Sequence, residues 1–288
     1  MLRSLIPALS VLLATLIAVP ASAPEAQGLD TPARNAFVVD LATDTVLLSK
    51  AADTPMPPAS MSKLMTVYMV FDRLKKGSLN LDDTFLVSEK AWRKGGSKMF
   101  VKVGDRIKVS DLLRGIIVQS GNDACIVVAE GLAGSEEAFA EMMTRRAKEI
   151  GLTNSRFANA TGWPHPDHYM SARDLAVLSE RLVNDFPELY KIFAEKTFTY
   201  SKIKQSNRNP LLYREIGSDG LKTGHTEEAG YGLAASAVRG DRRIVMVVNG
   251  LTSIRQRSQE SLRVMEWAFR TFKPYALFKK DDVITKAD

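Results

Sequence analysis

Cysteine is nearly absent from this chain of 288 residues, in which Cys125 is the only one. A single thiol cannot form an intramolecular disulfide, and it cannot build a zinc or iron–sulfur site that needs several thiolates. Histidine is scarce too, with only His165, His168 and His225, which leaves little material for a histidine-ligated metal. The sequence therefore predicts neither a metal nor another cofactor.

Long apolar runs are missing beyond the N-terminus. Residues 1–23 combine Arg3, a short apolar run and the small residues Ala21-Ser22-Ala23, a pattern typical of a secretory signal peptide. Cleavage fits after Ala23 or, in a competing register, after Ala21, and the alternative is an uncleaved membrane anchor. The run is shorter than the ~20 residues that span a bilayer, so the sequence favours export and does not support membrane attachment.

Charge of one sign is not concentrated anywhere. The 39 Lys and Arg against 33 Asp and Glu give a net charge of +6, and the basic residues are spread along the chain. Such a distribution favours an ordinary solvated surface over a site for an anionic polymer or lipid, and nucleic-acid binding is not predicted. The 45% hydrophobic content excludes wholesale disorder.

Strand patterns stand at both ends of the chain, with helical patterns between them. Asn35–Asp40 and Thr45–Lys50 indicate one hairpin, and residues 230–238 and 243–250 indicate another. Helical periodicity covers residues 60–75, a segment capped by Ser110, a segment after Asn122, and residues 135–150, 171–184 and 255–272. The sequence predicts an α/β (α+β) fold: an antiparallel sheet flanked by helices, with an inserted all-helical region.

The nucleophile motif G-x-S-x-G is missing, which argues against a Ser-His-Asp hydrolase of that type. Ser60-Met61-Ser62-Lys63 instead offers S-x-x-K at the start of a predicted helix. Three residues along a helix are nearly one turn, so Ser60 and Lys63 can meet on one face. The apolar surroundings of Lys63 predict a lowered pKa, and a neutral amine can accept the serine proton.

The S-x-x-K pattern occurs a second time, at Ser201 and Lys204. Its context, TYSKIK, is typical of a strand, in which residues three apart point to opposite faces. We therefore discard this second match.

Two further short motifs follow in the chain. Ser120-Gly121-Asn122 is an S-x-N between two helical segments, where the hydroxyl could relay a proton and the amide of Asn122 could hold a substrate carbonyl. The alternative is an ordinary helix break with a cap.

Lys222-Thr223-Gly224 precedes a strand pattern. There Lys222 could polarise the serine–lysine pair, and Thr223 offers a hydroxyl. Gly224 could leave room for a substrate backbone to lie beside the strand. The alternative for Gly224 is a simple turn glycine.

Together the ordered triplets S-x-x-K, S-x-N and K-T-G are typical of penicillin-binding proteins and serine β-lactamases. Over about residues 30–275 the chain resembles the serine-type D-alanyl-D-alanine carboxypeptidases, the low-molecular-mass penicillin-binding proteins of the β-lactamase/transpeptidase-like superfamily. The resemblance extends to the stretches PASMSKLMT, GGSKMFVKVGD, QSGNDA, NATGWPHPDHYMSARDLA, NRNPLL, DGLKTGHTEEAGYGLAASA and MEWAFRTF.

The resemblance implies a role for each site residue. Ser60 would be the acylated nucleophile and Lys63 its base, with Ser120 and Lys222 also catalytic. The backbone N–H groups of Ser60 and His225 would form the oxyanion hole. The residues implied to bind substrate are Asn122, Thr223, Gly224, His225, Arg257 and, by a looser match, Arg208, the two arginines facing a terminal carboxylate.

After the signal-peptide pattern of residues 1–23, the resemblance implies a peptidase domain (24–275) and a tail or the truncated start of a second domain (276–288). The implied activity is removal of the terminal D-alanine from peptidoglycan stem peptides in the periplasm or cell-wall space, with β-lactams as covalent inhibitors. The alternatives are a DD-endopeptidase, a β-lactamase or a non-catalytic wall-binding protein on the same fold. No E-x-x-L-N segment lies between Ser120 and Lys222, which argues against a class A β-lactamase.

Overall fold

The computed structural model of the chain describes residues 29–273 and 275. The predicted signal peptide and the predicted tail therefore lie outside the described residues. The strands of the described chain are β1 (Asn35–Asp40), β2 (Thr45–Lys50), β3 (Thr84–Leu86), β4 (Arg106–Lys108), β5 (Thr197–Tyr200), β6 (Ile203–Ser206), β7 (Ser218–Thr226), β8 (Gly230–Arg239) and β9 (Arg242–Leu251). No helix within these residues is long and apolar enough to cross a membrane.

The α-helices of the same residues are α1 (Lys63–Lys75), α2 (Glu89–Arg93), α3 (Val109–Ile117), α4 (Asn122–Ala133), α5 (Glu136–Glu149), α6 (Ala172–Asp185), α7 (Pro187–Tyr190) and α8 (Ile254–Thr271). Short 3₁₀ turns cover Ala59–Ser62, Lys191–Ala194 and Pro210–Tyr213. The predicted starts of two helices are confirmed. The side chain of Ser135 accepts a hydrogen bond from the N–H of Ala138, and Ser171 accepts one from Asp174.

The main sheet joins the two ends of the chain. Strands β2, β1, β9, β8 and β7 pair antiparallel in that order, so β1 and β9 meet at its centre. Along β9, Ile244, Met246 and Val248 belong to a core with α8, whereas Val245 and Val247 belong to a core with α1 and α6. Because both faces are covered, this strand is nearly continuously apolar. The predicted antiparallel sheet flanked by helices is confirmed.

Helices α2 to α5 form the predicted helical insertion. Helices α3, α4 and α5 pack against α1, and α4 also contacts α2, α3 and α5. Residues 122–129 of α4 are all buried, which places the helix in the middle of this region. The N-terminus of α4 thereby reaches the sheet side of the molecule, beside β7 and the turn that precedes α1.

The structure differs from the sequence predictions at the start of α3 and around Ser201. Ser110 does not cap α3, which begins one residue earlier at Val109 without a side-chain cap, because the chain enters it directly from β4. Residues 199–204 are not one strand: Ser201 and Lys202 have φ values of 48° and 64° and form the turn between β5 and β6. Left-handed φ values at two successive residues are typical of a two-residue hairpin turn. The sequence of this segment also fits a continuous strand, so the turn was not predicted.

Candidate active site

Ser60 lies on a short 3₁₀ turn, the serine turn (Ala59–Ser62), and not within the α-helix itself. The α-helix begins at Lys63, three residues later than the sequence predicted. In a 3₁₀ turn, side chains three positions apart eclipse one another. The Nζ of Lys63 accordingly lies 2.8 Å from the Oγ of Ser60. The predicted pairing of these two side chains is thus present, but it is made by the turn.

Lys63 is completely buried, and its amine makes a second hydrogen bond, donating to the carbonyl oxygen of Thr161 at 2.6 Å. Burial lowers the pKa of Lys63 to about 8. A neutral amine held in this way keeps one N–H on Thr161 and can turn its lone pair towards Ser60. The arrangement can therefore remove a proton from the serine hydroxyl near neutral pH.

The Thr161 carbonyl is held in place by a compact loop. The Oδ1 of Asn159 accepts hydrogen bonds from the backbone N–H groups of Thr161, Gly162 and Trp163, at 3.1, 2.9 and 3.0 Å. Gly162 has a φ of 75°, and a Cβ there would lie 1.9 Å from the carbonyl oxygen of Ala59. The loop thus rests directly on the serine turn. The roles of Asn159 and Thr161 were not predicted from the sequence, although an Asn shortly before a Gly is typical of such a turn.

Ser120 and Lys222 form a second serine–lysine pair. Ser120 lies between α3 and α4 with a φ of 60°, and the Nζ of Lys222 on β7 is 2.9 Å from its Oγ. Lys222 also donates to the carbonyl oxygen of Thr223 at 3.1 Å and is 3% exposed. Burial first, and then the charge of Lys63, lowers the pKa of Lys222 well below its ordinary value. The two lysines are therefore close enough for the charge of Lys63 to lower the pKa of Lys222.

Asn122 opens α4 and joins it to a neighbouring loop. Its Nδ2 donates to the carbonyl oxygen of Gly95 at 2.8 Å, and its backbone N–H donates to that of Ser97 at 2.7 Å. The side chain lines the cavity beside Ser60. In the structure its amide thus orders the loop that forms one wall of the cleft.

Two adjoining cavities share Ser60. The first, of about 360 Å³, is lined by Ser60, Ser97, Ser120, Arg208, Thr223, Gly224, His225, Tyr231, Ile254 and Arg257. The second, of about 480 Å³, is lined by Ser60, Gly96, Ser97, Asn122, Thr161, Gly162, Trp163, Pro164, His225, Thr226 and Glu227. Nearly all of the predicted site residues thus meet around one serine, and the buried Lys63 and Lys222 lie behind the walls.

The first cavity is cationic at its far end. Arg257 on α8 is 6% exposed and lies 5.7 Å from the ring centre of Tyr231, and Arg208 donates to the Oγ of Ser97 at 2.6 Å. Burial lowers the pKa of both guanidinium groups, yet an arginine stays charged in a protein. Among the described residues, no carboxylate lines this cavity. It is suited to an anion such as a free carboxylate.

Strand β7 forms the remaining wall, at the edge of the described sheet. The exposed ring of His225 stacks on Tyr231 at 3.8 Å between centres. Gly224 lines the first cavity, and the predicted space for a substrate backbone stays a prediction. A Cβ there would lie 2.8 Å from the carbonyl oxygen of Pro58 and 3.1 Å from the Cγ of Met61. The glycine therefore lets β7 lie against the serine turn.

Comparison with known proteins places this geometry in a family. Residues 20–253 match the family model described as D-alanyl-D-alanine carboxypeptidase. The D-alanyl-D-alanine carboxypeptidase DacC of Escherichia coli strain K12 is 43% identical over 256 residues, which are 86% of this chain and 64% of that protein. The chain thus spans less than two thirds of the length of this curated relative.

Solved structures agree with the sequence comparison. The D-alanyl-D-alanine carboxypeptidase DacD of Francisella tularensis is 31% identical with a TM-score of 0.86, and the match covers 94% of this chain and 76% of that one. Penicillin-binding protein D2 of Listeria monocytogenes, in its ampicillin-bound form, is 29% identical with a TM-score of 0.76, over 84% of this chain and 99% of that one. With its paired serines and lysines around one cleft, this chain belongs to the D-alanyl-D-alanine carboxypeptidase family.

Proposed function

We propose that this protein is a serine DD-carboxypeptidase that removes the terminal D-alanine from peptidoglycan stem peptides through an acyl-enzyme on Ser60. The observation that carries the proposal is the 2.8 Å contact between Ser60 and a fully buried Lys63. A binding module without catalysis has no use for a buried amine whose pKa lies near 8.

In the acylation step, neutral Lys63 accepts the proton of Ser60 as its Oγ bonds to the carbonyl carbon of the penultimate D-alanine. The backbone N–H groups of Ser60 and His225 stabilise the oxyanion. The C–N bond then breaks, and the leaving amine of D-alanine takes up a proton delivered through Ser120. Lys222 orients that hydroxyl, which the 2.9 Å contact supports. Water subsequently hydrolyses the ester and restores Ser60.

Substrate selection follows from the cationic end of the first cavity. A carboxypeptidase must recognise a free terminal carboxylate, and Arg257 and Arg208 offer the charge for it, with the hydroxyl of Thr223 beside them. A β-lactam presents a strained amide next to a carboxylate, so we propose that it acylates Ser60 in the same cavity. The related Listeria protein, whose structure holds ampicillin, supports this reading. The signal-like N-terminus supports action in the periplasm or cell-wall space.

The test is release of D-alanine from a peptide that ends in D-Ala-D-Ala. We expect release by the wild type and none above background with Ser60→Ala. Ser201→Ala is the matched control, because Ser201 belongs to the second S-x-x-K match and is exposed in a hairpin turn. Full activity of Ser60→Ala would refute the mechanism.

A second measurement separates the neighbouring activities. Intact mass of the protein after mixing with benzylpenicillin reports the lifetime of the adduct on Ser60. A penicillin-binding protein keeps the adduct for minutes or longer, whereas rapid turnover would identify a β-lactamase. An adduct without release of D-alanine from the linear peptide would redirect the proposal to an endopeptidase.

A further inference from the structure

A buried histidine lies on the far side of the serine turn. His168 is 4% exposed, and its Nε2 lies 2.7 Å from the Oγ of Ser62. Its Nδ1 accepts a hydrogen bond from the backbone N–H of Ala158 at 3.2 Å. A neutral imidazole carries one N–H, so the hydrogen is on Nε2 and is donated to Ser62. Both ring nitrogens are thereby engaged, one with the serine turn and one with the loop.

This hydrogen bond joins the two parts of the chain that meet at Lys63. Ser62 directly precedes Lys63, and His168 belongs to the loop of residues 156–170, which carries the Thr161 carbonyl. The ends of the loop are fixed by backbone pairing, of Arg156 with Tyr169 and of Met56 with Met170. Between those ends, His168 is a side-chain connection from the loop to the serine turn.

We propose that His168 is a positioning residue that acts through Ser62. It holds the loop of residues 156–170 against the serine turn and thereby keeps the amine of Lys63 buried under the Thr161 carbonyl. Without this connection the loop can lift, water reaches the amine, and the lysine becomes a positively charged group that cannot accept a proton. The inference rests on the proposed function, in which Lys63 is the base.

The electrostatic surroundings suit a permanent connection. Burial first, and then His165 and Lys63, lowers the pKa of His168 to about 4, so the ring is neutral wherever the enzyme works. The titratable and charged groups around Lys63 itself are Cys125, Asp123, Lys94, Arg208 and Lys222. Within the loop of residues 156–170, His168 itself is coupled to Lys63, but its ring is neutral above about pH 4, so a change at His168 acts on Lys63 through burial.

The experiment compares wild type with His168→Ala, His168→Gln and Ser62→Ala. The rate of acylation by a fluorescent penicillin is measured from pH 6 to 10, with thermal unfolding recorded for each protein. We expect the midpoint of the wild-type profile near pH 8 and a midpoint higher by about one pH unit or more in His168→Ala and Ser62→Ala, since lost desolvation returns a lysine towards about 10.4. Glutamine can donate to Ser62 as the imidazole does, so His168→Gln should restore the midpoint.

His165→Ala is the matched control, because His165 is an exposed residue of the same loop. It should leave the midpoint unchanged. A lower unfolding temperature with an unchanged midpoint in both His168→Ala and Ser62→Ala would overturn the proposal, because a merely structural role predicts that result. If His168→Ala does not fold, Ser62→Ala decides alone.

Direct titration of Lys63 keeps this inference separate from the proposed function. NMR of protein labelled at lysine Cε, with the signal assigned by Lys63→Met, reports the lysine pKa without any acylation. A wild type that is never acylated would refute the proposed function, while the NMR titration would still decide the role of His168. An unchanged Lys63 titration in Ser62→Ala would overturn the inference even if the enzyme is active.

Discussion

The Nζ of Lys63 donates to the carbonyl oxygen of Thr161 at 2.6 Å, across 98 positions of sequence. This contact fixes the amine of a fully buried lysine from one side, while Ser60 lies 2.8 Å away on another. A backbone carbonyl adds no negative charge, so it orients the amine without the stabilisation of the ammonium form that a carboxylate would give. The lysine is thereby kept as a base.

The first prediction concerns the pH dependence of acylation. Burial lowers the pKa of Lys63 from 10.5 to about 8, so the neutral, proton-accepting form predominates above pH 8. The rate of acylation by a fluorescent penicillin should therefore rise as the pH increases through about 8 and then level off. Lys63→Arg keeps the positive charge but cannot deprotonate, so its acylation rate should be lower than that of the wild type by about 10²-fold or more at every pH. A rate that stays flat between pH 6 and 9 would contradict this assignment.

The second prediction concerns the contact between β7 and the serine turn. Gly224→Ala places a Cβ 2.8 Å from the carbonyl oxygen of Pro58, so the turn must shift and the acylation rate should fall by about 10-fold or more, as small misplacements of reacting groups do. Gly131→Ala is the matched control. Its Cβ would lie 2.4 Å from the ring of the half-buried Phe85, away from the cleft.

The two variants are compared by acylation rate and by urea unfolding. Crowding against backbone should lower the stability of Gly224→Ala by about 1–3 kcal/mol. Gly131→Ala should lose less, because the half-buried ring of Phe85 can move and alanine favours a helix more than glycine does. Only Gly224→Ala should also lose acylation. Equal acylation rates in the two variants would show that the close approach of β7 to the serine turn does not position Ser60.

The third prediction concerns the attachment of α8 to the sheet. Arg242 pairs with the buried carboxylate of Asp40 and donates to the carbonyl oxygens of Ala268 and Phe272 at the end of α8, at 3.1 and 2.6 Å. Asp40→Ala leaves the guanidinium buried without its counter-charge and should lower the free energy of unfolding by about 3–5 kcal/mol. Urea denaturation measures the change.

Asp82 provides the comparison for this ion pair. It contacts Lys108 at 2.8 Å, but its side chain is 86% exposed. Asp82→Ala should therefore leave the free energy of unfolding nearly unchanged, because solvent screens an exposed ion pair. A similar decrease in the free energy of unfolding for the two variants would mean that burial does not increase the contribution of the Asp40–Arg242 pair to stability.

Several features of the fold could be predicted because they depend on neighbours in sequence. The spacing of Ser60 and Lys63 brings their side chains together, and Ser135 and Ser171 begin helices, because each arrangement is completed within one turn of the chain. The prediction was wrong around Ser201, where the same local pattern is compatible with one strand and with a hairpin. Residues 199–204 are typical of one strand, yet they belong to two strands joined by a turn at Ser201 and Lys202.

By itself, the sequence determined the two hairpins of the main sheet, the six longest helices, the antiparallel sheet, the family and the three motifs around which the site is built. Only the tertiary structure decided that Lys222 meets Ser120 across 102 positions and that Gly224 lies against the serine turn. It also decided that Thr161 contacts Lys63 and that His168 contacts Ser62. The physical reason is that motif spacing describes contacts within a turn or a strand. Contacts between distant segments depend on how the sheet and the helical insertion pack, and that packing is set by the two cores as a whole.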